Sequence, residues 1–143
     1  MTTYLDTSVT LRYLLNEPGR LTEWGSWEKA YTSVVHRVEF FRAMDRLRLE
    51  GNIDDDMRVE LQRQFDIVWE TLYRIPISAS ILNRAAGSFP TVVGSLDSIH
   101  LSSALSAIPP SFPDVENIFL THDTQLARTA VAVGYKVLGI DFS

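Results

Sequence analysis

The feature that most constrains this chain is its opening run, Met1-Thr2-Thr3-Tyr4-Leu5-Asp6-Thr7-Ser8. A short apolar stretch ends abruptly in a carboxylate and two hydroxyls. The pattern then turns helical with Val9, Leu11, Leu14 and Leu15. This is the form of a buried strand that delivers an acid to its carboxyl end and hands over to a helix. A carboxylate in that place is costly unless something partners it. In open α/β sheets, ligands sit in the crevice outside the carboxyl ends of the strands. The opening run therefore predicts both a parallel sheet and a polar site above it.

The rest of the chain alternates in the same way. A first helix over 8–16 stops at Pro18-Gly19, a breaker pair. Leu21, Trp24 and Trp27 recur at helical spacing and predict a short second helix up to Ala30. A strand over 31–34 leads into a helix over 36–50, ended by Gly51-Asn52. Val38, Phe41 and Met44 form its apolar stripe, and Arg42, Arg46 and Arg48 its basic flank. Asp54-Asp55-Asp56 opens the next helix, where acids complement the helix dipole. Leu61, Phe65, Val68, Trp69 and Leu72 are its apolar stripe. An extended stretch over 73–77 contains Pro76, which argues for a sheet edge. Ser78 caps a helix ending near Gly87. The segment from Ser95 to Ala107 is the best helix start in the chain, with small residues Ser102, Ser103 and Ala104 for close packing. A proline-rich loop spans 109–113, a buried strand 118–121, a helix 124–133 and a final strand 136–140. Strands alternating with helices predict an α/β fold in one domain over residues 1–143. It has three layers, a mostly parallel five-stranded sheet, and an α-hairpin standing off it.

Composition removes several chemistries. There is no cysteine, so disulfides, thiolate nucleophiles, zinc–thiolate sites and iron–sulfur clusters are excluded. His36, His100 and His122 are the only imidazoles, a poor supply for a histidine-rich zinc or iron site. Carboxylates are plentiful, and hard oxygen donors favour magnesium or manganese. The net charge of −5 has the wrong sign for coating nucleic acid. A nucleic-acid enzyme of this charge needs local positive charge from metal and a few arginines. No tract is long enough to span a bilayer, and the N-terminus lacks a basic region followed by an apolar one. A cytoplasmic protein without membrane attachment is expected.

Three later acids stand in settings like that of Asp6. Glu39 opens the helix after the second strand, Asp97 lies in the first turn of its helix, and Asp123 follows a buried strand. In a parallel sheet all four face one edge. Carboxylates crowded together repel, and divalent cation between them relieves the repulsion. One or two metal ions there could activate water and stabilise the leaving oxygen of a phosphoryl displacement. Singly, Asp97 and Asp123 also read as helix caps, and Glu39 as a surface residue.

At this point the sequence resembles the PIN-domain ribonucleases and, within them, the VapC toxins of bacterial and archaeal toxin–antitoxin pairs. The resemblance runs along the whole chain. It rests on Tyr4-Leu5-Asp6-Thr7-Ser8, on Val38-Glu39-Phe40-Phe41-Arg42-Ala43 and on Leu96-Asp97-Ser98-Ile99-His100-Leu101-Ser102-Ser103-Ala104. It rests also on Leu120-Thr121-His122-Asp123-Thr124-Gln125-Leu126, with Ala127 and Ala130. It implies a magnesium- or manganese-dependent endoribonuclease with Asp6, Glu39, Asp97 and Asp123 as its catalytic and metal-holding acids. Asp6 and Asp97 look like the main ligands, Asp123 completes the site, and Glu39 helps hold metal or activates water. Ser8 and Thr121 match hydroxyls that support the carboxylates. The resemblance further implies a cognate antitoxin lying in a hydrophobic groove, a homodimer and a toxin–antitoxin hetero-oligomer.

Beyond the acids, Arg12, Arg42 and His122 are candidates for contact with an RNA substrate, as are Arg37 and Arg46. Leu15, Trp24, Trp27 and Trp69 are candidates for the partner groove, though tryptophans of this kind are more often core. His122 stands where the resembled family commonly has an aromatic such as Phe, which leaves packing or a place near the phosphate open. The loop over 109–113 is longer than the minimal pattern. His36 reads as a surface residue and His100 as a structural hydrogen-bonder beneath the site. A Ser98–His100–Asp97 relay lacks a nucleophile elbow. An aspartyl phosphotransferase or phosphatase would want a second acid two residues after Asp6, where Ser8 stands. The other alternative is a catalytically silent PIN-like interaction module, against which the four acids argue.

Overall fold

A computed structural model describes residues 1–110 and 115–141, so the expected loop falls outside the described residues beyond Pro110. The elements in chain order are β1 (Thr2–Leu5), α1 (Thr7–Leu14), β2 (Lys29–Ser33), α2 (Val35–Leu49), α3 (Asp55–Thr71) and β3 (Tyr73–Ile75). They continue with α4 (Ala79–Ala85), α5 (Ser95–Ala107), β4 (Asn117–Leu120), α6 (Thr124–Ala132) and β5 (Lys136–Leu138). The sheet order is β3-β2-β1-β4-β5. The four strand pairings among the described residues are all parallel, as the expected sheet requires. β1 is central, with Thr3 opposite Ala30 on one side and Ile118 on the other.

Strand alternation divides the core into two. Leu5, Ile118 and Leu120 join Val9, Phe40, Met44, Phe65 and Trp69 on the face covered by α1, α2 and α3. Tyr4 and Phe119 join Leu101, Ala104, Leu126 and Ala130 on the face covered by α5 and α6. This is the expected three-layer arrangement. A parallel sheet buried on both faces needs near-continuous apolar strands, as in the run Ile118-Phe119-Leu120. Among the described residues no helix is long and apolar enough to cross a membrane.

The α-hairpin of α2 and α3 is closed by local chemistry. Gly51 adopts φ +78, Gly51 N–H donates to Arg48 O, and Asn52 N–H donates to Leu47 O. This is a left-handed C-terminal cap. Asp54 then accepts from Met57 N–H at 2.7 Å to start α3. Phe65 of α3 stacks on Phe40 of α2 with ring centroids 4.2 Å apart. The buried face of α2 is Phe40, Ala43 and Met44, while Val38 of the expected stripe is 62% exposed.

Two expectations are corrected. The short helix before Ala30 does not form. Residues 21–28 make successive turns, and Gly25 at φ +81 stops helical propagation. The helical spacing of Leu21, Trp24 and Trp27 instead serves packing. Leu21 is buried, Trp24 stacks flat on Tyr13 at 4.1 Å, and Trp27 meets Trp24 edge-on. The second correction is His36, which is fully buried between Phe65 and Trp69. Its Nδ1–H donates to Thr32 Oγ1 at 2.8 Å, and that hydroxyl donates to Leu5 O. Burial and the neighbouring His100 push its pKa down to about 3, so the ring is neutral.

Candidate active site

Asp6 directly follows the central strand at the N-cap position of α1, yet its side chain makes no cap. Its Oδ2 accepts Ser8 Oγ–H at 2.6 Å and Thr121 Oγ1–H at 2.9 Å. Its Oδ1 lies 3.6 Å from His100 Nε2. Glu39, near the start of α2, accepts at Oε1 from Thr7 Oγ1–H at 3.0 Å and from His100 Nε2–H. Its Oε2 accepts no hydrogen bond among the described residues. Asp97, in the first turn of α5, accepts no side-chain hydrogen bond among the described residues. Asp123 is the N-cap of α6, where Oδ1 accepts Leu126 N–H at 3.0 Å. Capping occupies one oxygen and leaves the other.

Parallel strands bring these four segments to one edge. All four carboxylates line a single cavity of about 430 Å³. Arg42 and Arg46 line it from α2, and Leu11, Val35, Val38 and Leu96 give it an apolar wall. Crowding shows in Asp97. Burial first, then the charges of Asp6 and Asp123, push its pKa up to about 6, partly offset by His100.

Beneath the cavity lies a buried chain centred on His100, the structural hydrogen-bonder expected there; its partners were not legible in the sequence. Ser33 N–H donates to the Tyr4 hydroxyl at 3.0 Å, and that hydroxyl lies 2.7 Å from His100 Nδ1. His100 Nε2 then reaches Glu39. A carboxylate only accepts, so Nε2 carries a proton. The Nδ1 contact works with Tyr4 donating to a neutral ring or accepting from an imidazolium. Burial opposes charge on His100, but the Glu39 hydrogen bond and the Asp6, Glu39 and Asp97 charges outweigh it and raise its pKa. Thr7, whose hydroxyl holds Glu39, is a site residue that the sequence did not single out. Its signal is the run of two hydroxyls after a strand-ending acid.

The remaining candidates scatter. Arg12 donates to Gly19 O at 3.3 Å and lines a neighbouring groove with Leu15, Arg46 and Leu47. Arg37 pairs with Asp66 at 3.2 Å. His122 does not line the acidic cavity; its Nδ1–H donates to Gly139 O at 2.7 Å. Trp24 and Trp27 are half-buried near α1. Trp69 is a core residue at 9% exposure, packed on Phe65, which removes it from the groove. Ser98 Oγ–H donates to Ser95 O, so no serine relay forms through His100.

Oxygen donors suit magnesium or manganese, and the strained Asp97 is the kind of carboxylate that a cation relieves. In donor chemistry the residues fit such an ion. As the side chains stand, no three acidic or histidine groups converge to hold a metal among the described residues.

The Asp97 shift predicts a stability effect in the metal-free protein. An unfolded aspartate titrates near ~3.9, whereas here the value is about 6. Between those values the folded state keeps a proton that the unfolded chain has released. Stability therefore falls as pH rises through that window and stays lowered above it. In EDTA, Asp97→Asn should melt at a higher temperature than wild type at pH 7.5, and the gap should close toward pH 4. Equal melting at both pH values would show that the carboxylates do not crowd.

A sequence model of the PIN-domain family matches residues 3–132. Among solved structures, the crystal structure of VapBC2 from Rickettsia felis bound to a DNA fragment from their promoter is similar at 14% sequence identity and a TM-score of 0.64. The match covers 96% of this chain and 97% of that one, and at this identity it speaks to the fold. No curated protein matches the chain in sequence.

Proposed function

The chain belongs to the PIN-domain family, and from that premise we propose that it is a metal-dependent endoribonuclease, the toxin of a toxin–antitoxin pair. One observation carries the reading: acids from four separate segments, Asp6, Glu39, Asp97 and Asp123, surround one cavity at the carboxyl edge of the sheet. Asp6 and Asp97 would be the main holders of magnesium or manganese, with Asp123 and Glu39 completing the set. When bound, the ion supplies Lewis-acid polarisation of phosphate and a lower pKa for water. The protein's own groups do the rest. Ser8 and Thr121 fix Asp6 by donating to one oxygen. Thr7 and His100 hold Glu39 by one oxygen and leave the other to take a proton from attacking water. Arg42 and Arg46 meet the phosphate at the cavity wall. Water oxygen bonds to phosphorus as the bond from phosphorus to one ribose oxygen breaks, and that oxygen leaves with the other RNA fragment and takes a proton from solvent.

The similar VapBC2 structure is bound to a DNA fragment from their promoter, and this likeness supports a cognate antitoxin for this chain. The groove beside α1, with Leu15 at its wall and Trp24 and Trp27 nearby, is where we place it. A homodimer, a toxin–antitoxin hetero-oligomer and a cytoplasmic location belong to the same proposal. The absence of three converging ligands among the described residues favours a second reading, a catalytically silent interaction module.

Asp123→Asn separates the two. Asparagine keeps the α6 cap and removes the charge. Induced in a bacterial host, the wild type should arrest growth, with new RNA ends at discrete positions, and Asp123→Asn should do neither. Arrest without new RNA ends, or with both proteins alike, would favour the interaction module.

A further inference from the structure

The loop after β4 is tied to Asp6 by one direct hydrogen bond and by two that pass through the hydroxyls on Asp6. Thr121 Oγ1–H donates to Asp6 Oδ2 at 2.9 Å. Asp123 N–H donates to that same Thr121 hydroxyl at 3.0 Å. His122 N–H donates to Ser8 Oγ at 3.0 Å, and Ser8 passes its own proton to Asp6 Oδ2. Whatever fixes this loop therefore fixes the central carboxylate and the place of Asp123.

The loop is held from the far end of the chain. Thr121 N–H donates to Leu138 O at 3.1 Å, extending the β4–β5 pairing. The next residue, Gly139, has φ +105 and sits directly against the loop. A Cβ there would lie 2.3 Å from Thr121 O and 3.2 Å from His122 Nδ1. Glycine alone permits both this backbone conformation and this approach. His122 closes the contact by donating Nδ1–H to Gly139 O at 2.7 Å. Among the described residues its Nε2 is buried without a partner, and the ring's hydrogen bond is the one to Gly139. Gly139 also lies past residue 132, where the family match ends.

We propose that His122 and Gly139 form a clasp that positions the Thr121–Asp123 loop over Asp6 and so sets how tightly the acidic site holds its cation. His122 is thus a positioning residue rather than a substrate contact. The inference rests on the metal-dependent reading above.

Asparagine and glutamine at position 122 decide it. The Asn amide nitrogen falls near the place of imidazole Nδ1, whereas that of Gln falls near Nε2. Manganese affinity of the purified protein is measured by calorimetry, beside metal-free melting temperature. His122→Gln should weaken manganese binding by about tenfold, the usual effect of losing a partner behind a ligand. His122→Asn should stay within about threefold of wild type. His122→Phe should weaken binding like Gln, while its metal-free melting temperature gains from loss of the bare Nε2. Equal manganese affinity in wild type, Asn and Gln would overturn the clasp and leave the proposed function standing. Equal weakening in Asn and Gln would overturn it too, because the donor position would not matter. A wild type that takes up no manganese would overturn the proposed function and the clasp together.

Discussion

Asp6→Asn should leave the fold intact and remove RNA cleavage. Asparagine has the shape of aspartate, and its one amide oxygen can accept both Ser8 and Thr121 hydroxyls as Asp6 Oδ2 does. The amide nitrogen then takes the place of Oδ1. What disappears is a negative charge in a nearly fully buried position at the centre of the acidic cavity. If that charge holds a cation against the phosphate, its removal costs several kcal/mol in the transition state. We expect cleavage to fall by at least about a thousandfold, roughly 4 kcal/mol. The melting temperature without metal should hold or rise, because repulsion on Asp97 is relieved. Single-turnover cleavage of a substrate RNA beside a thermal melt measures both. Full cleavage by Asp6→Asn would remove Asp6 from the site.

His100→Leu should harm the fold itself. The imidazole is fully buried and joins Tyr4 to Glu39, with Asp6 Oδ1 3.6 Å away. Leucine fills the volume but leaves Glu39 with Thr7 as its remaining donor and the Tyr4 hydroxyl with Ser33 N–H alone, so both lose their imidazole partner. Removing one member of a buried pair costs about 3–5 kcal/mol. Urea denaturation in EDTA should show a loss of about 3 kcal/mol at pH 6. The pKa of His100 is raised above its ordinary value. Its stabilising contribution is therefore complete below the unfolded value near ~6.5 and fades as pH rises through the higher folded value. The gap between wild type and His100→Leu should narrow at pH 8.5. His100→Gln, which returns a nitrogen donor near the place of Nε2, should recover part of the loss. A constant gap from pH 6 to pH 8.5 would show that packing alone holds His100.

Much of the fold was legible because its signals are local. Ser78 caps α4 by accepting from Ile81 N–H, three residues on. The Gly51 turn and the Asp54 cap bound the hairpin within a few residues. Tyr4-Leu5-Asp6 announced a buried strand with an acid at its end, and β1 is the centre of the sheet. Other features failed through distance. His36 looked exposed because the rings that bury it, Phe65 and Trp69, arrive on α3. The Tyr4–His100 bond joins residues 96 apart, and no periodicity encodes it. The direction of His122 depends on Gly139, 17 residues later. The run after Pro18 misled in another way. Its apolar spacing satisfies a helix, but Gly25 takes a left-handed conformation and the tryptophans pack through turns.

In the proposed function these carboxylates hold a divalent cation and cut RNA. Its most direct test is cleavage of total cellular RNA by the purified chain, freed of any partner, with manganese, magnesium or EDTA, beside Asp97→Asn. Discrete fragments are expected with manganese or magnesium, none with EDTA, and none with Asp97→Asn. Fragments that persist in EDTA, or that Asp97→Asn produces as well as wild type, would contradict that function.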